Sequence, residues 1–556
     1  MELRDYQIKA VESVFEEWKE HRSTLLVLPT GSGKSNVFCE IIKRRLPGRS
    51  LVLAHRGELI FQALNRLKDV FGIQAELEMA GYNATNGSGL LETVPVVIST
   101  IQTQIAGENG LGRMTRFRPD DFDTLIIDEC HRSTAESYVR TLDYYKQNPN
   151  LKILGVTATP DRADEIALGK VFETVAMDYE IVDAINDGWL VPIQQQMVFV
   201  KNLDFSQMRT TAGDLNGADL AKVMEAEEML HKIASPTIEI IGNRKTVVFA
   251  ASVKHAEMLA EIFNRHRPNM ADWICGKTPR EERAQKLFDY ENGMTQIMVN
   301  VGVLTEGWDS PLTECVVMGK PTKSRCLYCQ CVGRSTRPAP GIVDEWETSD
   351  SRRQAIAESV KPFALIIDFV GNSGRHKLMS SADILGGNYE DNVIERAEKK
   401  AKEKGGPVDM SKELEEAKDE IEAEKLREAR ELQEKIRKAG IKARAIFVTK
   451  AINPFDVFDI TPQRSRGWDE GRQISEKQKN LLLKQGINPD DLNFHQSKQV
   501  INEIFRRWNG KLATLKQCKT LKRFGYETKE MTMKDASAKL DALAKNGWRR
   551  PEEVAA

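Results

Sequence analysis

Short, unalternated apolar runs punctuate the first 370 residues: Leu25-Leu26-Val27-Leu28, Leu51-Val52-Leu53, Val96-Val97-Ile98 and Leu125-Ile126-Ile127. Ile153-Leu154-Gly155-Val156, Val247-Val248-Phe249, Ile297-Met298-Val299 and Leu365-Ile366-Ile367 continue the series. Runs of this kind, with helical periodicity between them, predict parallel strands buried on both faces. The expected fold class is α/β, with two parallel-sheet domains followed by an α-helical C-terminal region. The spacing predicts a first domain over 1–192, an inter-domain connection over 193–239 that lacks clear strands, and a second domain over 240–375.

The pattern then changes. Residues 376–450 read as a charged helical arm, crowded with Glu, Lys, Arg and Ala from 391 to 438. Leu414, Ala417, Ile421, Leu432 and Ile436 form a narrow stripe, with Ser411 as the expected N-cap and Gly440 just past the end. That stripe suits a mostly solvated helix, and a short coiled-coil arm is the alternative. Residues 451–471 read as a linker. Residues 472–550 hold an internal repeat at an offset of 39, in which Ser475 to Gln478, Leu482, Gly486, Ile501 and Ile504 recur as Thr514 to Gln517, Leu521, Gly525, Leu540 and Leu543. Each copy predicts an N-capped helix, a glycine stop and a second helix, and two copies can bury each other's apolar faces.

Composition adds limits. Of 556 residues, 41% are hydrophobic and 29% charged, enough for cores and incompatible with wholesale disorder. No run approaches ~18 consecutive apolar residues, so no membrane helix is expected. The first residues lack the apolar segment of a signal peptide. Eight scattered cysteines do not resemble a disulfide framework, and a cytoplasmic location is the expectation. The net charge of −2 conceals a skew: residues 472–556 carry 18 Lys/Arg against 10 Asp/Glu, leaving 62 against 72 in residues 1–471. A basic piece of this kind suits nucleic acid, and a protein partner bound through the C-terminal helices is the other reading.

Candidate chemistry begins at Leu28-Pro29-Thr30-Gly31-Ser32-Gly33-Lys34-Ser35, which follows one predicted strand and opens a helix. Glycines let backbone N–H groups turn toward phosphate oxygens, Lys34 reaches the terminal phosphates, and Ser35 supplies a hydroxyl to Mg²⁺. Leu28 stands where the first glycine of the common pattern would be. About 95 residues later, Asp128-Glu129-Cys130-His131 closes another apolar run. Asp128 offers a hard oxygen to the metal and Glu129 is placed to deprotonate an attacking water. Arg334 and Arg337, three apart, can present two forked cations to phosphate.

Taken together, these segments resemble the superfamily 2 helicases, and within them the RadD-like and type III restriction-like DNA translocases. The resemblance runs through Leu3-Arg4-Asp5-Tyr6-Gln7, the P-loop, Leu53 to Leu59, Ile98 to Gln102, the DECH box, Val156-Thr157-Ala158-Thr159-Pro160, Val247 to Ala250, Val303 to Pro311 and Gln330 to Arg337, in family order. It implies two RecA-like P-loop domains with parallel sheets, ATP and Mg²⁺ as cofactors, and hydrolysis by Lys34, Asp128, Glu129, Arg334 and Arg337. Nucleotide contacts would come from Arg4, Gln7, Pro29, Thr30, Gly31, Ser32, Gly33, Lys34, Ser35 and Gln330. Nucleic acid would lie against Arg56, Thr100, Gln102, Thr305 and Gly307, with Asp309 coupling the loop to the nucleotide. The implied activity is ATP-dependent movement along DNA. An RNA helicase, or an ATP-gated assembly protein that binds without unwinding, are the alternatives. The cysteine-rich zinc segment of RadD-like proteins has no counterpart here: Cys326, Cys329 and Cys331 lack a second pair and read as packing residues. No nuclease carboxylate constellation follows the motor.

Overall fold

The structure, a computed structural model, describes residues 3–55, 57–85, 94–107, 112–133, 135–158, 162–372, 378–385, 389, 391–404, 408–438, 454–458, 466–469 and 471–546. It divides into two compact units, Met1–Gly386 with Asn392–Ala417, and Gly387–Asp391 with Lys418–Ala556.

The first unit contains two seven-stranded sheets. Strands β1 (Ser23–Val27), β2 (Ser50–Ala54), β3 (Ala75–Glu78), β4 (Val96–Thr100), β5 (Thr124–Asp128), β6 (Lys152–Thr157) and β7 (Thr174–Asp178) are ordered β3-β4-β2-β5-β6-β1-β7. Every pairing is parallel. All five residues of β1, β2 and β5 are buried, as expected of strands covered on both faces. Helices α1 (Asp5–Glu20), α2 (Lys34–Arg45) and α3 (Gly57–Asn65) cover this sheet, with Val11, Val14 and Trp18 of α1 facing inward.

The second sheet uses β8 (Ile193–Asp204), β11 (Thr246–Phe249), β12 (Ala271–Cys275), β13 (Ile297–Val301), β14 (Cys315–Met318), β15 (Ala364–Asn372) and β16 (Val408–Asp409), in the order β12-β13-β11-β14-β15-β8-β16. A small hairpin, β9 (Thr210–Thr211) and β10 (Asp214–Leu215), lies between β8 and β11 in sequence. β8 is twelve residues long and runs parallel to β15, so 193–204 belongs to the second sheet rather than to a strandless connection. Its Gln-Gln-Gln start hides it in a hydropathy reading. Gln195 is nonetheless buried, because its amide donates to the Asp368 carboxylate. Helices Gly217–Met224 and Glu227–Ile241 pack Leu220, Leu230 and Ile233 into the same core as Val248 and Ile367. The interval 193–239 is therefore a structural part of the second domain.

The charged arm is also partly folded onto this unit. β16 pairs antiparallel with β8, and Leu414 and Ala417 are buried. Asp409, not Ser411, caps the long helix Met410–Lys438: its carboxylate accepts the Ser411 and Lys412 N–H groups at 3.1 and 3.4 Å. The side chains of Leu432 and Ile436, and Gly440, lie outside the described residues.

In the second unit the repeat is two helix pairs, Glu476–Lys484 with Phe494–Asn509 and Leu515–Arg523 with Met533–Lys545. Corresponding N-caps are Ser475 and Thr514, then Asn493 and Thr532. Gly486 and Gly525 take the matching left-handed turn at φ 79° and 71°. The expected linker contributes a helix, Pro454–Phe458, whose Phe455 and Phe458 join the core with Leu482, Ile501 and Ile504. Arg507 is buried beneath it, paired with Glu503 at 2.8 Å and 4.9 Å from the Phe458 ring. No helix among the described residues is long and apolar enough to cross a membrane.

Candidate active site

The carboxyl ends of parallel strands leave backbone groups and loop side chains pointing into a shared crevice. β1 ends in the glycine loop and β5 in the acidic pair. Gly31 and Gly33 take φ 88° and 75°, and a Cβ on Gly33 would stand 2.7 Å from the Gln7 amide nitrogen, so only glycine fits. Helix α2 starts at Lys34, whose amine contacts the Glu129 carboxylate at 2.8 Å. The Glu129 backbone itself is left-handed at φ 51°, a conformation unusual outside glycine, which turns its carboxylate inward.

A cavity of about 420 Å³ is lined by Thr30, Gly31, Gly33, Lys34, Ser35, Asp128 and Glu129 from the first domain, and by Gly307, Trp308, Asp309, Arg334 and Arg337 from the second. The candidate catalytic residues thus meet in one cleft. Gly333 packs so closely on the loop that a Cβ there would reach 2.6 Å from the Thr30 Cβ. Arg334 is anchored by donating to the Thr305 carbonyl at 2.6 Å and to the Trp308 carbonyl. Arg337 is paired with Asp309, and its Cγ lies against Gly31.

Electrostatics separate the two acids. Burial, reinforced by the Glu129 charge, pushes the Asp128 carboxyl up to about 6. Burial also opposes ionisation of Glu129, but Lys34 and His131 outweigh it and hold that carboxyl well below its ordinary range. Lys34 is raised despite burial, because Glu129 and Asp128 face its amine. His131 stands 3.3 Å from Glu129 and 3.3 Å from the Thr157 hydroxyl, tying the acid to the end of β6.

Other expected contacts fall elsewhere. The Gln7 amide donates to the Ser32 carbonyl at 2.9 Å, while its oxygen accepts the Arg4 N–H at 3.0 Å. Arg4 lies 4.6 Å from the Trp189 ring centroid and pairs with Asp344 at 2.7 Å. Neither Arg4 nor Gln7 lines the cleft; Gln7 instead braces its loop. The Pro29 carbonyl accepts from the Ser32 hydroxyl at 2.7 Å, which also turns inward on the loop. Gln330 is buried on the helix Arg325–Val332 and lines a second cavity of about 390 Å³ with Thr305, Glu306, Asn300, Phe249 and His131. Cys326, Cys329 and Cys331 lie on that same helix, all buried.

Among the expected nucleic-acid contacts, Thr100 caps the short helix Ile101–Ile105 by accepting the Thr103 N–H at 3.1 Å, and Gln102 is exposed. Gly307 lines the same cavity as Lys34, and its carbonyl accepts from Gln62. Arg56, Thr159 and Pro160 lie outside the described residues. Sequence reading missed Gln62, Asn65, Arg66 and Asp69, which line the cleft from the end of α3 and the turn after it. Only the polar positions spaced along that otherwise apolar segment hinted at them.

Comparison with known proteins fits this geometry. Residues 1–162 match the family described as type III restriction enzyme, res subunit, and residues 226–339 match the helicase conserved C-terminal domain. IRC3 of Saccharomyces cerevisiae, named as an ATP-dependent helicase, is 30% identical over 357 residues, 60% of this chain and 49% of that protein. This chain spans about half the length of that relative. XPB2 of Sulfurisphaera tokodaii, named as a DNA 3'-5' translocase, is 23% identical over 376 residues, 61% of this chain and 79% of that one. A fragment structure assigned to the HsdR subunit of a type I restriction enzyme from Vibrio vulnificus YJ016 aligns with TM-score 0.48 at 21% identity, over 67% of this chain and 64% of that one. The chain therefore carries a domain similar to the res subunit of type III restriction enzymes, followed by one similar to the conserved C-terminal domain of helicases.

Proposed function

We propose that this chain is an ATP hydrolase that couples closure of its two motor domains to movement along DNA. One observation carries the reading: Lys34, Asp128 and Glu129 of the first domain line the same cleft as Arg334 and Arg337 of the second. The fit to a triphosphate rests on the cleft's chemistry. Its loop turns through left-handed backbone at Gly31 and Gly33, and the Lys34 amine already holds a carboxylate where phosphate oxygens would sit. Ser35 and Asp128 are the hard-oxygen donors that would hold Mg²⁺, which when bound screens the phosphate charge.

In this reading Lys34 leaves Glu129 for the terminal phosphates, and the freed Glu129 carboxylate accepts a proton from the attacking water. His131 keeps that carboxylate in place. Arg334 and Arg337 face the charge that develops on the transferred phosphoryl group, a contribution of about 10³–10⁵ in rate where such arginines act. Because both arginines come from the second domain, hydrolysis depends on the cleft being closed. Product release then reopens it, and the cycle shifts one domain along the strand relative to the other.

DNA as the track is supported by the restriction-enzyme family matched by residues 1–162 and by the DNA translocase name of the archaeal relative. The eight cysteines are buried thiols, which suits a reducing, cytoplasm-like setting. The test is the ATPase rate with single-stranded DNA, duplex DNA, RNA and no nucleic acid, alongside displacement of a third strand from a triplex. Stimulation by RNA alone would replace the track. Stimulation by DNA without displacement would leave an ATP-gated binding protein.

A further inference from the structure

The helix Phe494–Asn509 buries Val500, Ile501 and Ile504 in the tail core, yet its outer side is not simply polar. Phe505 and Trp508 remain 46% and 44% exposed, edge to face with ring centroids 5.5 Å apart. Lys498, Asn502, Phe505 and Asn509 recur at i, i+4, i+7 and i+11, which places them in one row along the exposed face. Just past the helix end, Lys511 donates its N–H to the Trp508 carbonyl at 3.2 Å, with left-handed backbone at φ 52°, which sets a further exposed cation beside the aromatic pair.

The internal repeat supplies a control within the same molecule. At the offset of 39, Phe505 corresponds to Ala544, Lys498 to Ser537 and Asn502 to Asp541. The inward-facing positions match in kind between the copies, Ile501 and Ile504 becoming the partly buried Leu540 and the buried Leu543. The scaffold therefore folds with a small exposed residue where Phe505 stands. Two adjacent exposed rings are not demanded by packing, and they are costly to leave in water.

We propose that this face of the first repeat is a stacking platform for single-stranded nucleic acid. Flat rings take bases of any sequence on their faces, Asn502 and Asn509 can meet base edges, and Lys498 and Lys511 can meet phosphates. The charge of the region selects that occupant: residues 472–546 carry 16 Lys/Arg against 8 Asp/Glu, a net of +8. An apolar protein ligand would not call for that field, and an acidic peptide would not call for paired rings. The inference rests on nucleic acid being the motor's track for its choice of ligand. It would place a second hold on the strand outside the ATP-driven domains, so that the chain stays attached while the motor opens.

The test uses the full chain without nucleotide, titrated into a labelled oligothymidylate and followed by fluorescence anisotropy. Phe505→Ala with Trp508→Ala should weaken binding about 10- to 100-fold. Phe505→Leu with Trp508→Leu, which keeps apolar bulk but no flat π-face, should lose as much, and Phe505→Tyr with Trp508→Phe should restore it. The salt dependence should keep its slope in all three. Lys498→Ala with Lys511→Ala should flatten that slope, by about 0.7 per lysine. ATP hydrolysis without nucleic acid, run in parallel, should be unchanged in every variant, so that a failed motor and a failed platform are told apart. Wild-type affinity in either the alanine or the leucine pair would overturn the proposal. So would a loss of binding to polyglutamate with oligothymidylate binding intact, which would assign the face to an acidic protein.

Discussion

Replacing Glu129 by glutamine removes one negative charge from a buried pair while keeping the shape of the side chain. In the wild-type cleft the Lys34 amine sits 2.8 Å from that carboxylate, with both side chains largely buried. At an effective dielectric of about 20, two unit charges at that distance attract by roughly 6 kcal/mol. Desolvation of both groups cancels most of this, and about 1–2 kcal/mol of net pairing is a reasonable remainder. A nucleotide must displace that pairing before Lys34 can hold its phosphates. Glu129→Gln should therefore bind ATP about 5- to 30-fold more tightly than the wild type. The same change removes the proton acceptor for water, worth about 10²–10⁴ in turnover, or roughly 3–5 kcal/mol of barrier. A fluorescent ATP analogue read by anisotropy measures the first effect, and phosphate release under saturating DNA measures the second. Wild-type turnover would refute the role given to Glu129. Lost turnover with weaker nucleotide binding would refute the idea that Glu129 competes for Lys34.

Arg337→Ala should lower the DNA-stimulated rate by about 10³-fold or more with little change in nucleotide affinity, and Arg337→Lys should not restore it, because a point charge lacks the forked geometry. Gly333→Ala puts a methyl 2.6 Å from the Thr30 Cβ across the domain boundary. Overpacking there costs about 1–3 kcal/mol against closure, so the ATPase rate should fall about 5- to 150-fold. Lys361 is buried, donates to the Pro311 carbonyl at 2.7 Å, and is pushed down to about 7 by burial, against the pull of Glu314 and Asp309. Between pH 7 and the ordinary lysine value near 10.4, the unfolded chain holds one proton more than the folded one, so stability should climb with pH across that window. Lys361→Met should remove that climb, read as denaturant midpoints at pH 7 and pH 9. A slope unchanged in the variant would refute the assignment.

Much of the motor was legible in the linear pattern. The phosphate loop, the acidic pair and the arginine pair each combine a special backbone need with charged side chains at short spacing, and such needs are written locally. Central strands were equally plain, because burial on both faces leaves no polar alternation. Edge and polar-patterned strands were not. β3 and β12 are only partly covered, and β8 carries three glutamines near its start, of which Gln195 is buried against Asp368, 173 residues away. The same holds for Pro454–Phe458, which is helical and buried because the repeat core receives Phe455 and Phe458.

By itself the sequence determined which chemistry the chain can hold: a glycine loop that only glycine can form, two acids after an apolar run, two arginines three apart, and a repeat with matched caps. The tertiary structure decided which of these groups meet. Lys34 and Glu129 are 95 residues apart and touch, and Gln7, from the helix before β1, reaches the loop and donates to its Ser32 carbonyl. It also decided that Phe505 and Trp508 face water although their helix is amphipathic, since the core took Ile501 and Ile504 instead. The physical reason is range. Turn geometry, capping and charge act over a few residues and can be read along the chain. Burial, pairing and the field at a carboxylate depend on whichever distant segments the fold brings alongside.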